Sequence, residues 1–564
     1  MRKTLVLLAL SVTVVFCTLL SGCGGEEVKT ENTNQFESLS YNDAVHELNA
    51  LYSDIKPKEI SPRLDVDMTT GTVASSLADI STFPIKVTGK GDIDIEIAVA
   101  TEFSADAPDD WLNVVAEEFN RGNHKIGDKK VAISVRKITS GEVVIYMTDG
   151  GYRPDCYIPS NSAWGEMLDA KSIKTVQVTD RIAGNTAGIL MKKAVYEQFV
   201  EKYKEVTVAN VLKAANNGDI VFAYTNPYTS STGLNILSAM LYSFDNKNPL
   251  SDEAVNQLIE YQKNAPTAAY TTSVLKNSAA KGIIDVMVME EQAYVNTPEL
   301  SDYVFTPAGI RHDHPVYTFD YVSAEKQQAV KMFADYCLTD EMQKLATQKG
   351  FNRHDDYKSQ ENGMDGNGYF AAQRVWKQNK NGGRPTIAVF VSDISGSMNN
   401  SGRLNSLKKS LLNTMQYIDS NCYVGLVSYD DKVYINLPIR QFDNQQRAYF
   451  SGAVKDLATN GETATYDATV VGMKMLLDAQ KEVPDAKLLL FVLSDGEQNC
   501  GYRLSRVAPI VDGLNIPVYA IGYEMTGKGR EELKTLSSVN EAAMIDADVE
   551  GIVNELRNLF NVNM

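Results

Sequence analysis

Three separated segments carry oxygen-bearing side chains of the kind that bind a small, hard cation. Asp393, Ser395 and Ser397 alternate along one segment, so a single loop can turn three oxygens to the same side. Thr463 and Asp495 add a hydroxyl and a second carboxylate further along the chain. Mg²⁺ prefers about six oxygen ligands and keeps some waters, which suits this set. We interpret these five residues as a metal site for Mg²⁺, with Mn²⁺ or Ca²⁺ as alternatives.

Both aspartates of this set follow strongly apolar segments. Residues 387–391 and 488–493 are typical of buried strands, and residues 466–477 fit a helix that follows Thr463. In a doubly wound sheet, ligands bind beyond the carboxyl ends of the strands. The three segments are therefore expected to converge at one edge of a sheet. Neutral hydroxyl ligands would leave the ion electrophilic enough to attract an acidic group from outside.

The segment Asp393-Ile394-Ser395-Gly396-Ser397 resembles the metal-ion-dependent adhesion site of von Willebrand factor A (vWA) domains, and the resemblance extends over residues 386–564. It implies a doubly wound, Rossmann-like domain in which Thr463 and Asp495 complete the site. It also implies a protein or surface partner that offers a carboxylate to the metal. The family often has Gly-Gly-Thr where this chain has Gly461-Glu462-Thr463, so Glu462 could approach the ion or alter partner choice.

A second α/β domain is expected over residues 91–360, where strands and helices alternate and a largely parallel sheet is predicted. Segments 97–104, 155–162, 187–191, 226–233 and 315–317 resemble parts of two-lobed extracytoplasmic solute-binding proteins of the type that includes molybdate and iron binders. The resemblance implies a cleft between two lobes, with residues 187–191 as a crossover strand. A small solute or an oxyanion is the ligand that such a cleft would take.

Eight polar residues are the candidate ligands of this cleft. They lie at expected strand ends and at one helix start: Thr101, Glu102, Ser160, Asn161, Ser162, Ser230, Ser231 and Thr232. Hydroxyls and amides at a helix start suit an anion, but Ser and Thr are also ordinary helix caps. The pair His312 and His314 suggests a metal, but the sequence indicates no third ligand. We therefore expect a loop with exposed histidines.

The N-terminus has the features of a secretory signal. Arg2 and Lys3 precede an apolar run over residues 5–20, which ends in Leu20-Ser21-Gly22-Cys23. This ending resembles the lipobox of bacterial lipoproteins and implies cleavage before Cys23 and a lipid on its sulfur. An ordinary signal peptide and an uncleaved anchor are the alternatives. The lipidated chain would be extracytoplasmic and attached to a bacterial cell membrane.

Composition narrows the remaining classes of function. The chain has 564 residues, of which 44% are hydrophobic, and its formal net charge is −18. An acidic surface repels phosphate backbones, so nucleic-acid binding is not expected. We find no P-loop, HExxH or nucleophile-elbow pattern and expect no enzyme. Widely spaced cysteines allow one disulfide, but we favour free, buried thiols.

These inferences combine into five predicted regions. They are a lipoprotein signal (1–22), a lipidated tether (23–90), a solute-binding-protein-like domain (91–360), a linker (361–385) and a vWA domain (386–564). We expect an extracytoplasmic binding protein that recognises a protein or surface ligand through Mg²⁺. The alternative is a solute receptor of an ABC-type transporter whose C-terminal domain docks a partner.

Overall fold

The computed structural model describes residues 38–65, 77–265, 275–276, 279, 284–359, 363–496, 498–523, 525, 527–540, 544–547 and 552–564. Ser38–Met564 form one compact unit. The predicted signal segment and Cys23 lie outside the described residues, so the lipid anchor stays a prediction. None of the described helices combines the length and apolar composition needed to cross a membrane.

The described strands build three sheets. In chain order they are β1 (Lys58–Glu59), β2 (Ile85–Val87), β3 (Ile93–Val99), β4 (Lys125–Ile126), β5 (Lys129–Lys137), β6 (Cys156–Ile158), β7 (Thr175–Thr179), β8 (Thr186–Lys192), β9 (Phe222–Ala223), β10 (Val286–Glu290), β11 (Tyr303–Arg311), β12 (Val316–Phe319), β13 (Thr386–Asp393), β14 (Tyr423–Tyr429), β15 (Val433–Gln441), β16 (Lys487–Ser494), β17 (Val518–Tyr523) and β18 (Met544–Ala547).

The described α-helices cover the faces of these sheets. In chain order they are α1 (Tyr41–Ile55), α2 (Trp111–Arg121), α3 (Ser140–Asp149), α4 (Ala163–Ala170), α5 (Lys193–Tyr203), α6 (Val208–Asn216), α7 (Ser231–Phe244), α8 (Asp252–Asn264), α9 (Glu291–Val295), α10 (Ala324–Cys337), α11 (Asp340–Gln348), α12 (Gly366–Asn379), α13 (Arg403–Thr414), α14 (Asn444–Asp456), α15 (Thr465–Gln480), α16 (Leu504–Leu514), α17 (Gly527–Ser538) and α18 (Ile552–Asn563).

The N-terminal domain has two lobes, each with its own sheet. The first sheet has the order β2-β5-β3-β6-β12-β7, with β4 paired to β5, and the second has the order β11-β8-β10-β9. The predicted crossover strand is β8, which lies in the second sheet directly after β7 of the first. The two-lobed α/β architecture is confirmed.

The prediction of a largely parallel sheet in this domain is wrong. Among the described strands of this domain, only β3–β5, β3–β6 and β9–β10 pair in parallel, whereas β12 runs antiparallel to both of its neighbours. The chain leaves the first sheet after β7, builds the second lobe and returns directly into β12. A strand that returns without a helical crossover can run opposite to its neighbour.

Helix α12 lies in the region predicted as a linker. Its Trp376 is fully buried and donates a hydrogen bond from Nε1 to the Tyr224 hydroxyl at 2.8 Å. Gln373 Nε2 donates to the Pro227 carbonyl at 2.9 Å. Residues 366–379 therefore belong to the N-terminal domain, because aromatic side chains on one face of the helix close its core.

The described strands of the C-terminal domain, together with β1, form a seven-stranded sheet of order β1-β15-β14-β13-β16-β17-β18. The central strand β13 pairs in parallel with β14 and β16, and both β13 and β16 are almost wholly buried. Strands β14 and β15 form an antiparallel hairpin. Asp393 ends β13 and Asp495 directly follows β16, so the two aspartates share the carboxyl edge of the sheet.

Residues 38–65 differ from the predicted tether. Ala44, Leu48 and Leu51 on one face of α1 are buried against the C-terminal domain, beside α15 and α16. Strand β1 adds to the edge of that sheet by pairing in parallel with β15. The apolar face of α1 therefore makes residues 38–65 part of the folded unit rather than a spacer.

Candidate functional site

The five predicted metal ligands lie at the carboxyl edge of the C-terminal sheet. Asp393 Oδ1 accepts a hydrogen bond from the Ser395 backbone N at 2.8 Å, which turns the loop back over the end of β13. The hydroxyls of Ser395 and Ser397 are 3.0 Å apart, and Ser397 donates to Asp495 Oδ1 at 2.7 Å. Adjacent ligands of an octahedral Mg²⁺ are about 3 Å apart, so these spacings are compatible with one ion.

Thr463 reaches the same edge from a neighbouring loop. The Gly396 N donates to the Gly461 carbonyl at 3.1 Å, which ties the two loops together. Gly461 has φ +63°, and a Cβ there would lie 2.4 Å from Asp431 Oδ1. Thr463 is buried and its backbone N donates to Asn499 Oδ1 at 2.8 Å, whereas Glu462 is exposed. The loop therefore needs glycine at 461 and presents Glu462 to solvent.

Two buried carboxylates make this edge electrostatically unfavourable without a cation. Asp393 is fully buried, and burial raises its pKa to about 6, with a smaller contribution from the charge of Asp495. Arg403 Nη1 lies 2.8 Å from Asp495 Oδ2 and supplies positive charge on one side. Carboxylates and hydroxyls are the oxygen donors that a hard divalent cation prefers, so the residues present fit Mg²⁺.

Three of the eight predicted cleft residues meet between the lobes of the N-terminal domain. Glu102 follows β3 and accepts a hydrogen bond from the Ser160 hydroxyl. Asn161 Nδ2 lies 3.0 Å from His312 Nε2. Side chains from the first sheet therefore contact the segment that connects the second sheet to β12.

Four of the other predicted cleft residues have local roles or are exposed. Ser230 is the N-cap of α7 and accepts a hydrogen bond from that helix at 3.3 Å, as the helix-cap alternative expects. Its hydroxyl lies 2.9 Å from that of Thr232. Ser231 accepts a hydrogen bond from Trp164 Nε1 at 2.9 Å, and Ser162 is exposed at the start of α4. Their described hydrogen bonds do not reach Glu102.

The eighth predicted residue, Thr101, is half-buried. It begins the short 3₁₀ turn that carries Glu102. No described hydrogen bond joins the Thr101 side chain to the group around Glu102, so its role as a cleft ligand stays a prediction.

The expectation of exposed histidines is wrong. His312 and His314 are both fully buried, and Glu290 at the end of β10 lies beside them. His312 Nδ1 is 2.7 Å from Glu290 Oε1, and His314 Nε2 is 3.2 Å from Glu102 Oε1. The sequence contained a signal for Glu290, because this acidic residue directly follows the apolar run of residues 286–289.

Burial controls the ionisation of this group. It lowers the pKa of His312 to about 4, so this imidazole is neutral at pH 7. Burial, together with the nearby charge of Glu102, raises the pKa of Glu290 well above its ordinary value. Burial also acts to raise the pKa of Glu102, but the hydrogen bond and charge of His314 outweigh it and lower that pKa.

Two family models match the chain. Residues 100–352 match the bacterial extracellular solute-binding protein family, and residues 388–558 match the von Willebrand factor type A domain. The chain thus combines a solute-binding-protein-like domain with a C-terminal vWA domain, as the sequence predicted. A comparison with curated protein sequences finds no match.

Several solved structures match part of this chain. A von Willebrand factor type A protein from Catenulispora acidiphila is 19% identical, with a TM-score of 0.28, over 32% of this chain and 42% of that one. The sulfate-binding protein SubI from Mycobacterium tuberculosis H37Rv is 14% identical, with a TM-score of 0.35, over 47% of this chain and 88% of that one. Iron-bound HitA from Pseudomonas aeruginosa is 12% identical, with a TM-score of 0.38, over 52% of this chain and 99% of that one.

Proposed function

We propose that this protein is a lipid-anchored, extracytoplasmic binding protein that recognises a protein or surface ligand through Mg²⁺ at its vWA domain. The observation that carries the proposal is the continuous contact from Ser395 through Ser397 to Asp495 at the ends of the buried strands β13 and β16. Asp393 and Thr463 lie beside this chain of contacts. The residues that would hold the ion are therefore Asp393, Ser395, Ser397, Thr463 and Asp495.

Bound Mg²⁺ would supply an electrophilic position that a carboxylate of the partner can occupy. The chain itself orients the ligands: the Ser494 hydroxyl donates to Asp393 Oδ2 at 2.7 Å, and Asn499 fixes the backbone of Thr463. The exposed Glu462 lies next to Thr463, where a partner's carboxylate would approach. Its negative charge would discriminate among acidic partners.

The proposal is tested with residues 24–564, which contain the whole described unit but not the predicted lipid-bearing cysteine. Titration calorimetry with Mg²⁺, Mn²⁺ and Ca²⁺ identifies the ion and its affinity. The protein is then used to capture ligands from envelope extracts in Mg²⁺ or in EDTA. Asp393→Ala is the test variant. Asp485→Ala is its control, because it removes the same charge from an exposed residue before β16.

Capture of the same ligand by wild type and Asp485→Ala, but not by Asp393→Ala or in EDTA, is the expected result. If the ligand is still captured in EDTA and by Asp393→Ala, metal-dependent recognition is contradicted. Metal-dependent recognition is also contradicted if none of the folded proteins, wild type included, captures a ligand in Mg²⁺. Circular dichroism of each variant establishes that it is folded.

A second candidate function is a receptor that binds a small solute in the N-terminal cleft and delivers it to a transporter. The contact of Asn161 with His312 supports it, because buried polar groups from the two lobes meet there. A receptor should gain thermal stability from one low-molecular-weight ligand. The two functions thus predict stabilisation by different ligands at different domains.

A further inference from the structure

Glu102, Glu290 and His314 form a compact group between the lobes of the N-terminal domain. Each offers one ligand atom, and the three atoms lie within 4.8 Å of one another. Glu102 comes from the turn after β3, Glu290 from the end of β10, and His314 from the connection between β11 and β12. The two carboxylate side chains keep 14% and 10% exposure, so the group is reachable from solvent.

The hydrogen bonds of His314 direct a lone pair or a proton of Nε2 into this group. Its Nδ1 lies 3.1 Å from the Ala183 carbonyl, which can only accept, so Nδ1 carries a hydrogen. Its Nε2 lies 3.2 Å from Glu102 Oε1 and donates to it when the ring is protonated, and loss of that proton leaves a lone pair for a metal ion. Stacking on Phe103, with ring centroids 3.8 Å apart, holds the ring in this orientation. Metal-binding histidines are commonly oriented by such a carbonyl contact.

Glu290 is oriented by two donors. Asn185 Nδ2 donates to Oε2 at 2.7 Å. His312 Nε2 faces the amide nitrogens of Asn161 and Asn235, which can only donate, so its other nitrogen donates to Glu290 Oε1. Both donors leave lone pairs of the carboxylate available. The arrangement resembles the second layer of residues that orients ligands in metal sites.

Asn161 supplies an independent observation. It is only 1% exposed, and its Oδ1 has no hydrogen-bond partner among the described residues. The preceding Ser160 donates to Glu102, and the Ser160 carbonyl accepts from the His314 backbone N at 3.1 Å. A buried amide oxygen without a partner costs free energy unless a ligand or a water fills its place.

We propose that Glu102, Glu290 and His314 bind a divalent transition-metal ion such as Zn²⁺ or Mn²⁺. Two carboxylates neutralise the charge of the ion, and one imidazole favours a transition metal over Mg²⁺ or Ca²⁺. Asn161 follows Ser160, which donates to Glu102, so its unpartnered Oδ1 and solvent are the candidates for further donors. This site is distinct from the vWA site, which has only oxygen donors.

The same group disfavours an oxyanion. The hydrogen-bond partners of Glu102 and Glu290 among the described residues are hydroxyl, amide and imidazole groups, and none is a lysine or an arginine. Two carboxylates beside a bound sulfate or molybdate would repel it at close range. This inference rests on the second candidate function for the cleft and names its ligand class as cationic.

The experiment measures metal content in residues 24–564 with Asp393→Ala, so that the vWA site does not contribute. The protein is loaded with Zn²⁺ or Mn²⁺, dialysed and analysed by mass spectrometry for metal per chain. Glu290→Gln and His314→Gln are added to this background. Glu291→Gln is the matched control, because Glu291 is adjacent and buried but pairs with His354. Thermal unfolding with sulfate is a separate arm.

We expect about one equivalent of metal in Asp393→Ala and in its Glu291→Gln derivative, as for a single site. Binding should weaken by about 100-fold or more in Glu290→Gln and His314→Gln. The metal-free Glu290→Gln protein should unfold at the same temperature as its parent or higher, because one of two neighbouring buried carboxylates is gone. Replacing the metal with Co²⁺ should give visible absorption bands that change in His314→Gln.

Metal content that is unaffected by Glu290→Gln and His314→Gln would overturn the proposal. Stabilisation by sulfate with no metal bound would overturn it too. Because the capture experiment depends on Asp393 and this one on Glu290 and His314, the vWA function and the cleft site can fail separately. If the protein binds the metal at this site but delivers no ligand to a transporter, the receptor function is contradicted and the metal site is supported.

Discussion

Arg557 in α18 and Glu142 in α3 form an ion pair across the boundary between the two domains, and both side chains are almost completely buried. Tyr146, also in α3, donates from its hydroxyl to Asn554 in α18 at 3.0 Å. Helix α3 also carries Ser140, whose hydroxyl lies 3.4 Å from that of Ser160 in the cleft. One helix therefore contacts both the vWA domain and the cleft.

Removing one member of this pair should destabilise the protein strongly. Arg557→Met leaves Glu142 buried without its countercharge, so we expect the free energy of unfolding to fall by about 3–5 kcal/mol in urea titrations. The double variant Glu142→Met/Arg557→Met should recover most of that loss. Lys331→Met in the exposed pair with Asp335 is the control and should cost about 1 kcal/mol or less. If Arg557→Met and Lys331→Met lowered the free energy of unfolding by the same amount, the buried ion pair would not have the structural role described.

Leu48 tests whether residues 38–65 are part of the fold. Its side chain is fully buried between α1 and the C-terminal domain. Leu48→Ala should therefore lower the free energy of unfolding by about 3 kcal/mol. Tyr41→Ala, at a half-exposed position on the same helix, should change it by about 0.5 kcal/mol or less. If residues 38–65 were only a spacer, both variants would behave like wild type.

Asp393 should make the stability of the metal-free protein depend on pH. Its pKa in the fold is about 6, above the ordinary value of 3.8, so the folded state holds a proton that the unfolded state has released. The contribution of Asp393 to stability is therefore complete below about pH 4 and is lost as pH rises through about 6.

Asp393→Asn should accordingly raise the metal-free stability at pH 7 by about 2–3 kcal/mol and have little effect at pH 4. Urea titrations at both pH values in EDTA measure this difference. A variant that is less stable than wild type at pH 7 would contradict it. Mg²⁺ binding by the wild type should also weaken below pH 6, because protons then compete for this carboxylate.

Arg403 should compete with the metal for Asp495. Its guanidinium contacts the carboxylate that a bound ion would share, so Arg403→Gln should tighten Mg²⁺ binding by about tenfold in calorimetry. Arg506→Gln is the control, since Arg506 pairs with Glu47 and not with a predicted metal ligand. A loss of affinity in Arg403→Gln would instead mean that the arginine positions Asp495 for the ion.

Cys23 should hold the protein at the membrane. Cys23→Ala should prevent lipid attachment, so the protein should move from the membrane fraction to the soluble extracytoplasmic fraction. Incorporation of labelled fatty acid into wild type but not into the variant measures this directly. A variant that stays in the membrane fraction would favour an uncleaved N-terminal anchor.

The convergence of the five predicted metal ligands at one sheet edge could be predicted because its signals are local. Asp393 and Asp495 each follow an apolar run after one intervening serine. Such runs become neighbouring strands at the centre of a sheet, which brings their ends together. The alternation through Ser395 and Ser397 then places the hydroxyls on the same side. Periodicity likewise predicted most of the strands and helices on which these residues lie.

The cleft and the domain contacts could not be predicted in the same way. His312 and His314 lie in a polar segment that looks exposed, and they are buried only because the two lobes close over them. Trp376 and Leu48 lie in regions predicted as linker and tether, yet each packs into a core formed by residues far away in the chain. Such burial depends on partners that no local pattern reveals.

The amino-acid sequence by itself thus determined the two-domain α/β class, the strand-end aspartates and hydroxyls of the vWA site, and the expectation of a secretory signal. These features follow from short-range alternation and apolar runs. Only the tertiary structure decided that Glu102, Glu290 and His314 meet, and that Arg557 pairs with Glu142. Residues so distant in sequence are brought within contact only when the packing of separate lobes and domains excludes water between them.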